Sequence, residues 1–96
     1  MTDDRIPSLE ALLTAAGEAH TVFERDELGG VYDEDWPAWY ARWAVDNGFG
    51  AILGRDLPAD DLAAYFTRTW DEIRRADPKP AEPWATIMAR RIAAEL

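Results

Sequence analysis

Apolar side chains recur along this chain at intervals of three and four residues, and that rhythm predicts four amphipathic helices. The first is expected from about Leu9 to Asp26, with Leu9, Leu12, Leu13, Ala16, His20 and Phe23 on one stripe. Ser8 is placed to cap it, because a serine hydroxyl can accept a bond from an otherwise unpaired N–H of the first turn. Gly17 interrupts the helical pattern and reads as a point of close approach to another helix. Gly29 and Gly30 then end it, since glycine readily takes the left-handed conformation just past a helix.

The second helix is expected from Trp36 to Asn47, with Trp36, Trp39, Tyr40, Trp43, Ala44 and Asn47 on its stripe. Pro37 fits its first turn, where a missing N–H costs nothing, and Asn47-Gly48 supplies the stop. Arg42 and Asp46, four apart, can pair across its outer face, for about a few tenths of a kcal/mol at most. Residues 49–57 read as a connector holding one helical turn at Ala51-Ile52-Leu53. A third helix follows from Pro58 to Ala76, with Leu62, Tyr65, Phe66, Thr69, Trp70 and Ile73 on its stripe, Asp60 and Asp61 in its first turn and a hydrophobic staple between Leu57 and Leu62. Three prolines make residues 77–83 a stiff extended connector. The fourth helix is expected from Trp84 to Glu95, with Trp84, Ile87, Met88 and Ile92 facing inward. No segment sustains the alternation of a strand. The expected fold is therefore all-α: a compact single-domain bundle of four helices with short connections spanning residues 1–96, residues 1–7 being a flexible N-terminus.

Ninety-six residues suit one domain, and an apolar content of 48% is ample for a core. The chain has no cysteine, which removes disulfides, thiolate metal sites and thiol nucleophiles together. Net charge is −9, and it is unevenly spread. Residues 1–48 hold eleven Asp/Glu against three Arg, a net of −8, while residues 49–96 hold eight against seven Lys/Arg, a net of −1. This balance argues against nucleic acid and anionic membranes as partners, because both are bound through Lys and Arg. The acidic start at Asp3-Asp4 is unlike a signal peptide and no apolar run matches a membrane span, so the cytoplasm is the expected location.

Three groups of residues carry candidate chemistry. Tyr32, Trp36, Trp39, Tyr40 and Trp43 form an aromatic cluster within twelve residues. Its ordinary reading is core packing; its functional reading is the wall of a pocket for a flat ligand, or a binding hot spot. Only one histidine is present, His20, one helical turn before Glu24. The pair has the form of a base with an orienting carboxylate, although a histidine on an apolar stripe is more often a satisfied boundary residue. One histidine without cysteine is a poor zinc set, and neither metal nor cofactor is expected. Asp33-Glu34-Asp35 departs from a calcium loop, with Pro37 at the fifth position and no glycine at the sixth; helix capping and solvation account for it. Arg90 and Arg91 read as a solvated basic pair able to hold carboxylates of the acidic half.

The run from Leu28 to Ala41, with Gly-Gly-Val-Tyr-Asp at residues 29–33 and Trp-x-x-Trp-Tyr-Ala at residues 36–41, resembles a group of short uncharacterised bacterial proteins. That group also carries an Ala-His segment on the first helix, here Ala19-His20. The resemblance spans about residues 9–75 and implies that His20, Tyr32, Asp33, Trp36, Trp39 and Tyr40 form a shared constellation. It implies neither a fold nor an activity.

Three functions compete. The favoured expectation is a small acidic accessory protein that binds another protein, one of basic character, through the acidic and aromatic surface around residues 29–43. Second is a small-molecule-binding protein or minor enzyme, its pocket lying where the loop from Gly29 to Trp36 meets the first helix. There His20 would act with Glu24, Asp33 or Asp35, and Tyr32, Trp36, Trp39 and Tyr40 would supply apolar walls. DNA mimicry by aligned carboxylates is last. A homodimer is also compatible, since five tryptophans on four short helices are much apolar surface for a monomer to cover.

Overall fold

The computed structural model describes residues 4–77 and 80–96. The described residues form an all-α domain of five helices: α1 (Arg5–Glu27), α2 (Trp36–Asp46), α3 (Phe49–Leu53), α4 (Ala59–Arg75) and α5 (Trp84–Glu95). Helix α2 packs along α4, α1 packs along α5, and α1 and α2 meet each other. The Cα radius of gyration is 13.3 Å. No helix among the described residues is long and apolar enough to cross a membrane.

The predicted stripes largely become the core. Leu9, Leu13 and Ala16 of α1, Leu62 and Phe66 of α4, and Met88 and Ile92 of α5 are fully buried. On α2 the buried residues are Ala41 and Ala44, while Trp36, Tyr40 and Trp43 pack against the core only half-buried. Small residues at the closest approach leave the large rings to spread sideways, and this spreading opens the site described below. Leu57 is partly buried against the core cluster that also holds Leu62.

Helix α1 begins at Arg5, four residues before the expected start, so residues 5–7 are helical and Ser8 is an exposed helical residue, not a cap. Pro7 is tolerated there because the first turn has no intrahelical partner for its N–H. The extension has a tertiary cause. Arg5 donates from Nη1 to the Leu53 carbonyl (3.2 Å) and from Nη2 to the Ala93 carbonyl (2.8 Å). Both carbonyls lie in the last turns of their helices, where no intrahelical donor is available. One guanidinium thus pins the start of α1 to the ends of α3 and α5.

The connector after α2 contains a complete short helix, α3, not a single turn at residues 51–53. Phe49 is fully buried and Leu53 nearly so. Burying a side chain of the Phe49 type contributes roughly 1.5–3 kcal/mol, which suffices to fold five residues that are marginal alone. Gly48 (φ 102°) and Gly54 (φ 89°) bracket the helix in a backbone conformation that only glycine takes without strain.

Two ion pairings that the sequence allowed are not made among the described residues. No ion pair joins Arg42 to Asp46 among the described residues. Arg90 pairs with Glu82, and Arg91 with Glu72 and Glu95, so both arginines hold carboxylates of the C-terminal half instead of the acidic half. In the connector over residues 77–83, Pro78 and Lys79 lie outside the described residues, as does the acidic start up to Asp3.

Candidate functional site

The site is built from Glu24 outward. Its backbone carbonyl accepts the N–H of Leu28 (3.2 Å) and of Gly30 (2.8 Å), which turns the chain back at the end of α1. Gly29 (φ 61°) and Gly30 (φ 86°) make that turn possible. The Glu24 carboxylate then receives the N–H of Asp33 at Oε2 (3.0 Å). One residue therefore anchors both ends of the return loop and carries Asp33 back over α1.

Asp33 lands on His20. Its Oδ2 lies 3.0 Å from His20 Nε2, with only 7% of the histidine side chain and 12% of the aspartate side chain exposed. Because a carboxylate only accepts, Nε2 carries the hydrogen of this bond. On the opposite side of the ring, Nδ1 lies 3.6 Å from Glu24 Oε1, beyond direct hydrogen-bond length. Asp33 Oδ1 accepts the Asp35 N–H (2.9 Å), closing a local turn into α2. Asp33 therefore does more than favour a helix N-terminus. Asp35 is the residue before α2 yet makes no side-chain cap bond, and Glu34 and Asp35 are exposed.

The imidazole sits among rings. Its centroid is 4.9 Å from those of Trp39 and Tyr40 and 6.0 Å from that of Phe23. From Tyr40 the network continues to Trp36 (5.4 Å) and Trp84 (5.3 Å), and from Trp36 to Trp70 (6.1 Å) and Trp84 (5.8 Å). The aromatic cluster thus ties α1, α2, α4 and α5 together. At Gly17 an added Cβ would stand 3.5 Å from the Tyr40 hydroxyl, an ordinary contact distance, so the close approach read from the sequence does not require glycine.

Beside this network lies an open cavity of about 320 Å³, within the range of small-molecule sites. His20, Glu24, Tyr32, Trp36 and Tyr40 line it, five of the candidates read from the sequence. Asp33 stands behind His20, and Trp39 packs on the imidazole and on Phe23 (5.4 Å), outside the lining. Asp35 is exposed and takes no part in the cavity. The lining also includes Trp70 of α4 and Trp84 of α5, which the sequence reading assigned only to helix stripes. The available signal was their type: with Trp36 they are three of only five tryptophans in the chain.

Burial, reinforced by the negative charge of Glu24, holds the Tyr40 phenol above its ordinary pKa, so it presents a neutral hydroxyl. Glu24 and Asp33 flank opposite nitrogens of one ring and do not converge on a common point. Consistently, no group of three or more His, Cys, Asp or Glu among the described residues is arranged to hold a metal ion.

Fold and site together define a small all-α protein with an aromatic cavity over a carboxylate-held histidine. Comparison with protein-family models, with curated proteins and with solved structures gave no match.

Proposed function

We propose that this protein is a small-molecule binder whose site is the cavity between α1, α2, α4 and α5. The observation that carries the reading is the lining: tryptophan and tyrosine rings supply an apolar surface, and His20 and Glu24 add convergent polar groups. That combination is the usual make-up of a ligand site. Asp33 holds Nε2 at 3.0 Å and Glu24 Oε1 lies 3.6 Å from Nδ1, so the imidazole is fixed in the wall of the cavity. A screen of small fragments by NMR tests the proposal. Bound fragments should shift the indole N–H resonances of Trp36, Trp70 and Trp84 together; a screen in which no fragment moves these three signals rejects the cavity as a binding site.

A second reading, association with a basic protein partner, draws on the loop beside the cavity. Val31 and Tyr32 are 66% and 67% exposed there, next to the acidic Glu34 and Asp35. Such a contact would weaken steeply with salt. Replacing Val31 and Tyr32 by serine would abolish capture of that partner and leave fragment binding at the three tryptophans intact, apart from contacts made by Tyr32 itself.

A further inference from the structure

The shape and charge of the cavity narrow the class of ligand. A flat aromatic molecule needs a slot between parallel walls. The rings here stand at right angles: Trp36 makes interplanar angles of 79° with Tyr40, 87° with Trp70 and 87° with Trp84, and Tyr40 makes 81° with Trp84. Rings that meet edge to face at right angles make a corner instead of a slot, which suits a rounded group. The lining is also mostly aromatic, with four Trp and Tyr rings from three helices. Aromatic faces attract cations through their quadrupole, most strongly for tryptophan.

The charged group in the lining has the matching sign. Glu24 is the only acidic residue there, and no Lys or Arg contributes. Its charge is felt across the site, since it helps raise the Tyr40 pKa. Its side chain keeps 26% exposure while Oε2 holds the Asp33 N–H, so it is fixed in place and still reachable. Residues 1–48, which provide most of the lining, carry the net of −8. An anion would meet this field unfavourably. The neighbouring cavity of about 300 Å³ shares Trp70 and Trp84, but Arg74 and Glu82 both line it, so opposite charges offset each other there.

Resting on the small-molecule reading above, we infer that the cavity binds an alkylated ammonium group, with Trp36, Trp70, Trp84 and Tyr40 around the alkylated nitrogen and Glu24 as its counter-charge. The ligand class is a small organic cation bearing a methylated amine.

The test uses the full chain and two probes of equal shape. Choline carries a trimethylammonium head; 3,3-dimethylbutan-1-ol replaces its nitrogen by carbon and is neutral. Calorimetric titration should give choline an advantage of about tenfold or more over the isostere, the scale of a partly desolvated cation–π site. Glu24→Gln keeps an oxygen for the Asp33 N–H and should cut choline affinity about fivefold, a larger factor than it changes the isostere. Trp70→Leu, altering a wall residue that is 37% exposed, should weaken choline more than the isostere. The choline–isostere comparison needs no variant, so it stands even where a substitution harms folding. Equal affinities, or binding of the isostere alone at the three tryptophans, would overturn the cation inference and leave the small-molecule reading in place. Failure of both probes at millimolar concentration, while other fragments still shift the three indoles, has the same meaning. Failure of every fragment overturns both.

Discussion

Removing the Asp33 carboxylate isolates the contact that organises the site. In Asp33→Ala the His20 Nε2–H, in a side chain only 7% exposed, loses its acceptor 3.0 Å away. Leaving a buried donor unpaired costs about 1–3 kcal/mol. The Asp35 N–H also loses its partner, but that residue is exposed and water replaces most of the bond. The Asp33 N–H to Glu24 Oε2 is a backbone donor and survives the substitution. The expected net loss is therefore about 1–3 kcal/mol, a sizeable part of the roughly 5–15 kcal/mol that stabilises a typical domain. Urea unfolding followed by tryptophan fluorescence reads it. With a slope of about 1–1.5 kcal/mol/M, the midpoint should fall by roughly 2 M. A double-mutant cycle assigns the loss to the contact itself. His20→Phe keeps a ring for Trp39 and Tyr40, and in its background Asp33→Ala should cost at least about 1 kcal/mol less. A loss within about 0.5 kcal/mol of zero, or a coupling indistinguishable from zero, would refute the claim that this bond holds the loop onto α1.

Three further perturbations probe separate parts of the fold. Gly17→Ala should stabilise the protein by about 0.5–1 kcal/mol, because the added Cβ meets the Tyr40 hydroxyl only at 3.5 Å and the helix gains propensity; a lower melting temperature would mean that the contact is tighter than it stands here. Arg5→Ala should cost about 1.5–3 kcal/mol by leaving the Leu53 and Ala93 carbonyls without their charged donor, seen as a drop of roughly 6–20 °C in thermal midpoint; an unchanged midpoint would dismiss the clasp. Tyr65 donates to Glu95 Oε2 (3.2 Å), and burial first, with the Glu95 charge and this bond adding to it, raises its pKa from 10.0 to about 12. A raised pKa in the folded state means that this contribution to stability is complete below pH 10 and is lost as pH climbs towards 12, up to about 2–3 kcal/mol in all. Ultraviolet titration should show a late tyrosine transition that disappears in Tyr65→Phe, and a Tyr65→Phe profile with the same alkaline loss of stability would discount the effect.

Helical periodicity alone identified α1, α2, α4 and α5 and most of their buried faces, because burying one stripe at 3.6 residues per turn leaves a direct imprint on residue order. It also brought His20, Glu24, Tyr32, Trp36 and Tyr40 forward as candidates, since residue type and local spacing were enough to mark them. Helix ends were less legible. Ser8 has the right chemistry for a cap, yet α1 continues past it because Arg5 finds two carbonyls that are 48 and 88 residues away along the chain. The short helix at Phe49 was hidden for a similar reason: five residues carry too little periodicity, and only burial of Phe49 and Leu53 against the rest of the core makes them fold.

The choice among carboxylates was likewise tertiary. Nothing in the order Asp33-Glu34-Asp35 says which one meets His20; the glycine turn and the Glu24 anchor set the loop path, and that path delivers Asp33 and turns the other two outward. Trp70 and Trp84 joined the cavity because α4 and α5 bring them against Trp36, a meeting of residues distant in sequence. The sequence by itself determined the helices, the acidity of the first half and the kinds of ring available, all properties of neighbours along the chain. Only the packing of four helices decided that these rings meet at right angles beside one carboxylate, because an angle between side chains on different helices depends on contacts that no local spacing encodes.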